Sequence, residues 1–237
     1  MSTYVLVHGA WHGAWCWHRI IARLEAAGHR VYAPDLAGLG RDQTPLNEVT
    51  LSRWADDITA CIDAAATPVI LVGHSRGGLI LSEVAERRPD QIRCLVYLTA
   101  FLLPAGGTLN QVAATDTASQ VGPNLVLSAD ALSVTVREEA LADVFYNDCS
   151  TEDIALARTC LRAEPLAPLH TPLQITDAHF GRVPRVYIEC LRDRAITIAS
   201  QRAMQAALPC QTVHVLDSDH SPFLSAPDAL ATLLQGL

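Results

Sequence analysis

One serine lies between glycines in the stretch VGHSRGG, residues 72–78, which matches the pattern G-x-S-x-G. The run PVILV before it has the composition of a strand, and GLILSEVAERR after it has the period of a helix. A serine on such a strained strand-to-helix turn exposes its hydroxyl above the sheet edge, at a helix N-terminus that favours developing negative charge. We therefore predict that Ser75 is a nucleophile. A glycine-rich turn with an N-capping serine is the alternative.

A serine hydroxyl needs a general base to remove its proton. On a strand-turn-helix architecture of this kind, an acid and then a histidine follow the serine along the chain. The sequence contains nine histidines, and His220 in LDSDHSPF comes after the last predicted strand and before the last predicted helix. This position is at the same sheet edge as Ser75, so we interpret His220 as the base. A histidine in a surface loop is the alternative.

A carboxylate should orient the histidine. Asp193 in CLRDRAI follows the strand RVYIEC, again at the edge that carries the serine. Because a separate strand end supports a side chain more rigidly than the histidine's own loop does, we favour Asp193 over Asp217 and Asp219. Asp217 stays open as the rival acid. A solvated charge cluster with Arg192 and Arg194 stays open as another interpretation of Asp193.

The oxyanion that forms when a serine attacks a carbonyl carbon must be stabilised by amide donors. We predict that one is the backbone amide of Arg76, the residue after the nucleophile, and that the other comes from the loop HGAWHGAWCW after the first strand. Gly9 allows close approach of the backbone in this loop, and the amide of Ala10 is the preferred donor. Trp11 is expected to pack in the core or to line the substrate pocket.

Six short apolar runs, which indicate strands buried on both faces, alternate with longer segments of helical period. The runs are TYVLVHG (3–9), HRVYAPD (29–35), TPVILVG (67–73), IRCLVYLTA (92–100), PRVYIEC (184–190) and QTVHVLD (211–217). The predicted helix over 15–27 ends at Gly28, and the one over 51–65 follows Thr50 as its N-cap. The alternation predicts an α/β fold with a doubly wound parallel sheet of about six strands.

One connection is much longer than the others. No strand is evident from Phe101 to Val183, although VREEALADVFYND and STEDIALARTCLRAE have helical period, and the second opens with a capping pattern from Ser150 to Asp153. A connection of this length is usually a functional lid. We interpret residues 101–184 as a helical cap inserted into a core of residues 1–100 and 185–237.

Composition and charge exclude several classes of protein. The formal net charge is −8, and the basic residues form no run that could follow the phosphates of a nucleic acid or an anionic membrane surface. The apolar stretches are too short to span a bilayer, and no leader pattern is visible, so we expect a cytoplasmic protein. The seven cysteines have no metal-ligand spacing, so we expect reduced thiols and neither a metal nor an organic cofactor.

Four segments, VLVHGAWHGAWCW, GHSRGG, YIECLRDRAI and DSDHSPF, together resemble the α/β-hydrolase group that contains plant methyl-ester hydrolases and hydroxynitrile lyases. The resemblance runs from Tyr4 to the C-terminus and includes the insertion. It implies an α/β-hydrolase fold with a small apolar pocket beneath the cap. It also implies a catalytic triad formed by Ser75, Asp193 and His220. The amides of Ala10 and Arg76 would form the oxyanion hole.

Residues of this group distinguish the lyases from the esterases. The lyases carry a threonine where this chain has Gly9, a glutamate where it has His74 and a lysine where it has Ser221, and these residues handle the cyanohydrin. Because all three differ here, the resemblance favours ester hydrolysis. Gly9, Trp11 and Ser221 are then the expected substrate contacts.

The sequence thus predicts a serine carboxylesterase that hydrolyses small hydrophobic carboxylic esters through an acyl-enzyme. A hydroxynitrile lyase or a C–C bond hydrolase on the same scaffold is the alternative among enzymes. A non-catalytic receptor for a small ligand is the alternative of another class. A homodimer stays open as the oligomeric state. Arg76 replaces a smaller apolar residue of the plant proteins, and we expect it to pair with a nearby Asp or Glu rather than with a substrate carboxylate.

Overall fold

Strands and helices alternate along the chain in the computed structural model, which describes residues 1–237. The strands are β1 Thr3–Val7, β2 Arg30–Tyr32, β3 Val69–His74, β4 Ile92–Leu98, β5 Leu125–Leu127, β6 Ser133–Val136, β7 Glu164–Pro165, β8 Arg185–Cys190 and β9 Thr212–Leu216. The helices are α1 His18–Ala26, α2 Leu51–Asp63, α3 Gly77–Arg87, α4 Leu109–Ala113, α5 Leu141–Phe145, α6 Thr151–Cys160, α7 Ile198–Ala207, α8 Pro222–Ser225 and α9 Pro227–Gln235.

The main sheet has the strand order β2-β1-β3-β4-β8-β9, and every neighbouring pair is parallel. The chain starts inside the sheet at β1, adds β2 on one side and then adds the other strands on the opposite side. The prediction of a doubly wound parallel sheet of six strands is confirmed. The connections that leave β1 and β3 diverge at their carboxyl ends, and a switch point of this kind opens a crevice at the sheet edge.

Side chains of the central strands alternate between two apolar cores, one on each face of the sheet. In β1, Val5 and Val7 belong to a core that includes residues of α2 and α3, whereas Tyr4 and Leu6 belong to a second core that includes residues of α1 and α9. The four central strands are almost wholly buried, as expected for a parallel sheet that is covered on both faces.

The two edge strands differ from this expectation. Each has a neighbouring strand on one side only, and the prediction that they too are buried on both faces is wrong. Tyr32 in β2 and both Val213 and Val215 in β9 are exposed. The apolar residues of an edge strand therefore do not indicate that the strand is buried on both faces.

The helices in the first two connections, α1 and α2, begin and end close to their predicted residues. Helix α1 is followed by Gly28, whose φ of +83° ends the helical backbone. Helix α2 follows Thr50, whose hydroxyl oxygen accepts a hydrogen bond from the amide of Arg53. No helix of the structure combines the length and the apolar character that a membrane span requires.

The insertion between β4 and β8 contains helices α4, α5 and α6 together with a second, three-stranded sheet in the order β5-β6-β7. The predicted helical segments and the Ser150 cap of α6 are present. The prediction that the insertion has no strand is wrong. Its strands are only two to four residues long, and all three residues of β5 are exposed, so they leave no periodic signal in the sequence.

Candidate active site

Ser75 lies on the tight turn between β3 and α3, in the strand-turn-helix setting that the sequence predicts. Its backbone φ is +53°, in the left-handed region that residues other than glycine rarely adopt. The turn requires a glycine before it, because a Cβ on Gly73 would lie 2.4 Å from Leu81 Cδ1. The amide of Phe101 donates to the Ser75 carbonyl at 3.0 Å and so fixes the turn against the start of the insertion.

The imidazole of His220 and the carboxylate of Asp193 form a buried pair, with 2.6 Å between Nδ1 and Oδ2. Asp193 follows β8, and His220 lies in the loop after β9. Three further donors hold the carboxylate: the hydroxyl of Thr99 at 2.5 Å on Oδ2, and the amides of Ala195 and Ile196 at 2.6 and 2.9 Å on Oδ1. Since Nδ1 faces this carboxylate, Nε2 is free to accept a proton.

The rival acid Asp217 and its neighbour Asp219 have other partners. Asp217 is exposed and pairs with Arg192, which also pairs with Asp148 at 2.8 Å. The Asp219 carboxylate accepts from the amides of Asp148 at 2.9 Å and Ser221 at 3.0 Å. Burial raises the pKa of Asp219, although these donors oppose the shift. Neither side chain makes a hydrogen bond to the imidazole of His220.

Ser75 and His220 line the same cavity, but no hydrogen bond joins the serine hydroxyl to the imidazole. In hydrolases this contact often tightens only when substrate is bound. The backbone carbonyl of His220 accepts a hydrogen bond from Nε2 of His74 at 2.8 Å, and the two rings are 4.5 Å apart between centroids. Burial holds the pKa of His74 well below its usual value. A neutral, buried His74 therefore ties the loop of His220 to the residue before the serine.

The amides of Ala10 and Arg76 belong to residues that line this cavity, and neither donates a hydrogen bond to a protein group. The carbonyl of Gly9 accepts from His8 Nδ1 at 2.9 Å and from Arg76 Nη2 at 3.0 Å. Because C=O and N–H point in opposite directions in a trans peptide, these two donors direct the Ala10 N–H away from themselves. The geometry leaves two amide donors beside the serine.

The cavity has a volume of about 620 Å³ and a largely apolar lining to which the insertion contributes many side chains. Apolar residues of the lining include Trp11, Phe101, Leu109, Leu125, Leu127, Val134, Phe145, Leu166, Leu169 and Ile196. Of the three expected substrate contacts, Trp11 is brought to the cavity, whereas Gly9 and Ser221 are not among the lining residues. No group of three or more metal-ligand side chains is arranged to hold a metal ion, and all seven cysteines are free thiols.

The side chain of Arg76 is buried and pairs with Glu164, with 2.8 Å between Nε and Oε1. Burial raises the pKa of Glu164 and lowers that of Arg76, and the charge of each residue opposes the shift of the other. The structure therefore agrees with the expected pairing to a carboxylate of the protein.

Sequence reasoning missed Thr99 and Glu164, which contact the candidate site, and considered Asp219 only as a possible acid of the triad. Thr99 at the end of β4 has a φ of +36° and donates to Asp193. Glu164 and Asp219 are buried carboxylates that bind backbone amides beside the site. The position of Thr99 at a strand end was a readable signal, because neighbouring strand ends meet at one edge. Glu164 has no signal, since nothing in the insertion marks it as adjacent to Arg76.

A serine on a strand-to-helix turn, with an Asp-His pair at neighbouring strand ends of a parallel sheet, is the arrangement of an α/β-hydrolase. The sequence model of the protein family described as Alpha/beta hydrolase family matches residues 4–233, so the chain belongs to this family. Its relatives place it in the plant methylesterase-like group, and the predicted family and fold are thereby confirmed.

Three comparisons define the similarity. The chain is 32% identical to Methylesterase 7 of Arabidopsis thaliana over 98% of its own length and 95% of that protein. It is 35% identical to a chloroplastic relative named methylesterase 11 from the same plant, but spans only 63% of that longer protein. A solved structure of a pyrethroid hydrolase from Sphingobium faniae superposes with a TM-score of 0.88 at 29% identity, over 99% of this chain and 96% of the other. Relatives of this kind support a carboxylic ester hydrolase.

Proposed function

We propose that the chain is a serine carboxylesterase that hydrolyses small hydrophobic esters through an acyl-enzyme. One observation carries this proposal: a single apolar cavity brings together Ser75, His220 and two amides without protein acceptors. Asp193 supports the histidine from behind. The lyase, C–C hydrolase and receptor alternatives gain no support from the site.

In the proposed mechanism, Ser75 Oγ attacks the ester carbonyl carbon while its proton passes to Nε2 of His220. Asp193 keeps Nδ1–H of the imidazole in place and stabilises the imidazolium. The carbonyl oxygen becomes an oxyanion that accepts hydrogen bonds from the amides of Ala10 and Arg76. The tetrahedral intermediate then collapses, the C–O bond to the alcohol breaks, and the alcohol leaves with the proton from Nε2.

The second half of the proposed cycle repeats this chemistry with water. A water molecule gives its proton to Nε2 of His220 and attacks the acyl carbon, and the oxyanion forms again in the same place. Collapse releases the carboxylic acid and returns the proton to Ser75 Oγ. No other reactant is required.

The cavity favours an apolar ester as the substrate. Its volume of about 620 Å³ is in the range of small-molecule sites, and few polar side chains of the lining could satisfy a charged group. The relatives are named as a methylesterase and a pyrethroid hydrolase, which is consistent with an ester substrate. The cytoplasmic location and the homodimer stay predictions.

The substitution Ser75→Ala tests the nucleophile. Turnover of p-nitrophenyl butyrate should fall by on the order of 10⁴ in kcat, while the melting temperature stays close to that of the wild type. A fluorophosphonate should label the wild-type protein with one equivalent and should not label the variant.

Ser82→Ala is the matched control, since Ser82 lies on α3 outside the cavity and bonds to Tyr97. It should keep both turnover and labelling. Hydrolysis by the Ser75→Ala protein at a rate near that of the wild type would exclude the proposed nucleophile.

A further inference from the structure

A buried ion pair links the nucleophile turn to the insertion. Arg76 follows Ser75, and Glu164 lies in β7 of the insertion. Their side chains are 1% and 0% exposed, and the guanidinium carbon of Arg76 lies 4.1 Å from the centroid of the Trp54 ring. Buried ion pairs of this kind add little stability compared with apolar residues of the same volume. The pair therefore calls for an explanation other than stability.

The remaining side-chain hydrogen bonds of the pair are to the two residues on either side of Ala10, in the loop after β1. Arg76 Nη2 donates to the Gly9 carbonyl at 3.0 Å. Glu164 Oε2 accepts from the Trp11 amide at 2.9 Å. The pair thus holds the peptide group before Ala10 and the peptide group after it. Fixing both peptide planes fixes the backbone dihedral angles of Ala10, and with them the direction of its N–H.

The conformation held in this way is one that the loop would not adopt unaided. Trp11 has a φ of +63°, and a bulky residue in the left-handed region is strained. Besides the Glu164 contact, its indole N–H donates to the Val134 carbonyl and its own carbonyl accepts from the Arg162 amide, each at 2.9 Å. All three partners of Trp11 belong to the insertion.

From these contacts we propose that Arg76 and Glu164 are positioning residues that hold the Ala10 amide in the oxyanion hole and so couple the insertion to transition-state stabilisation. The inference rests on the proposed esterase function. Arg76 then has two parts in the hole: its amide is one donor, and its side chain directs the other. Glu164 neutralises the guanidinium and anchors the far side of Ala10.

The expected signature is a loss in kcat with little change in KM, because the ground-state ester gains less than the oxyanion from a correctly aimed amide. Removal of an oxyanion-hole donor costs about 10²- to 10³-fold in kcat. A donor that is misdirected rather than removed should cost about 10- to 100-fold.

Two variants test the inference. Arg76→Met combined with Glu164→Leu replaces the pair by apolar side chains of similar volume, so we expect the double variant to fold. Its thermal stability should fall somewhat, because the Trp11 amide loses its acceptor. We expect a 10- to 100-fold loss in kcat, on the order given by hole mutants elsewhere. Inhibition by butylboronic acid, whose tetrahedral adduct with Ser75 mimics the oxyanion intermediate, should weaken by about the same factor as kcat/KM.

Glu164→Gln is the second variant and keeps a carbonyl oxygen for the Trp11 amide, so its fold does not depend on tolerance of a double change. We expect it to lose about 10-fold in kcat, because the guanidinium is left without its counter-charge. Arg88→Met is the matched control. It breaks the exposed pair with Asp63, whose shortest contact is 2.8 Å, and should leave kcat within about twofold of the wild type.

A value of kcat within twofold of the wild type in Glu164→Gln, or in the folded double variant, would overturn the inference. Equal losses for Arg88→Met would do the same. These outcomes leave the proposed function untouched as long as Ser75→Ala is inactive and unlabelled. Turnover by Ser75→Ala would instead remove the proposed function itself.

Discussion

The orientation of the Asp193 carboxylate is fixed by the hydrogen-bond donors around it. Its two oxygens accept from the imidazole of His220, the hydroxyl of Thr99 and two backbone amides. Each donor removes a direction in which the carboxylate could turn, so the Nδ1–H of the imidazole has one acceptor in a fixed place. Asp217, although closer to His220 in the sequence, is exposed and bound to Arg192. The number and direction of donors separate the two carboxylates.

Thr99→Val removes one of these donors with little change in volume. A hydrogen bond to a charged group contributes about 1.5–3 kcal/mol, so we expect kcat to fall by about 10-fold or more as the carboxylate gains freedom. Steady-state kinetics with p-nitrophenyl butyrate provide the measurement.

Thr59→Val is the control for this substitution. It also removes a buried threonine hydroxyl, which bonds to the Ala55 carbonyl within α2, away from the cavity. It should lower the melting temperature without lowering kcat. If both variants lost activity equally, the hydroxyl of Thr99 would have no special part in holding Asp193.

The site depends on how closely the loop after β1 approaches the turn after β3. The two strands are neighbours in the sheet, and their loops leave at the same edge. A Cβ on Gly9 would lie 2.7 Å from His74 Nδ1 and 2.9 Å from the Cβ of Ser75. The ring of His74 packs against Trp17 and Phe223, so it has little room to move. Only glycine fits where these two elements meet.

Gly9→Ala should therefore push the loop away from the turn. We expect a lower melting temperature and a loss of kcat of about 10-fold or more, because the Ala10 amide moves with the loop. Gly236→Ala is the control, since its added Cβ would meet only ordinary contacts at 3.4 Å and beyond. An alanine at position 9 that left kcat unchanged would show that the close approach is not needed.

Buried neutral histidines link the folding of the protein to pH. Burial lowers the pKa of His8 to about 3 and that of His12 to about 4, from 6.5. The ring of His12 contacts the Ala10 carbonyl at 2.7 Å and the Tyr146 hydroxyl at 2.7 Å. A carbonyl can only accept, so Nδ1 carries the proton and Nε2 accepts from the tyrosine. Protonation of Nε2 would reverse this second contact, because the tyrosine oxygen would then have to accept from Nε2–H.

These shifts predict that the protein loses stability in mild acid. Below about pH 6.5 the unfolded chain binds a proton on His8 and on His12, whereas the folded chain binds none on His12 until about pH 4 and none on His8 until about pH 3. Unfolding therefore takes up protons. As the pH falls from about 6.5 towards the folded pKa, each histidine lowers the free energy of unfolding by about 1.4 kcal/mol per pH unit. Buried Glu164 and Asp219 have raised pKa values and oppose the trend at its acidic end.

Urea unfolding between pH 7.5 and 5.5 measures this slope. We expect His12→Gln to reduce the proton uptake on unfolding by about one proton, since one buried histidine is removed. Thr59→Val, which changes no titratable group, should lower the free energy of unfolding and leave the slope unchanged. A free energy of unfolding that is constant across this range would contradict the assignment of neutral buried rings.

Local signals in the sequence were enough for the architecture and for the serine turn. The apolar runs gave the strands of the main sheet, and the glycines around Ser75 indicated a turn that only small neighbours permit. These features depend on residues a few positions apart, where backbone sterics and periodicity act. The short strands of the insertion were missed for the same reason, since two to four residues carry no period.

The fold class, the strand-to-helix turn and the sheet edge that carries the candidate site could all be predicted from the sequence. The packing of the folded chain was needed to see that Asp193 rather than Asp217 contacts the imidazole. It also revealed that Thr99 donates to Asp193 and that Glu164 pairs with Arg76 beside Ala10. These contacts join residues far apart in the chain, and their geometry depends on burial and on the direction of donors. Neither burial nor the direction of a hydrogen-bond donor can be derived from the spacing of residues along the sequence.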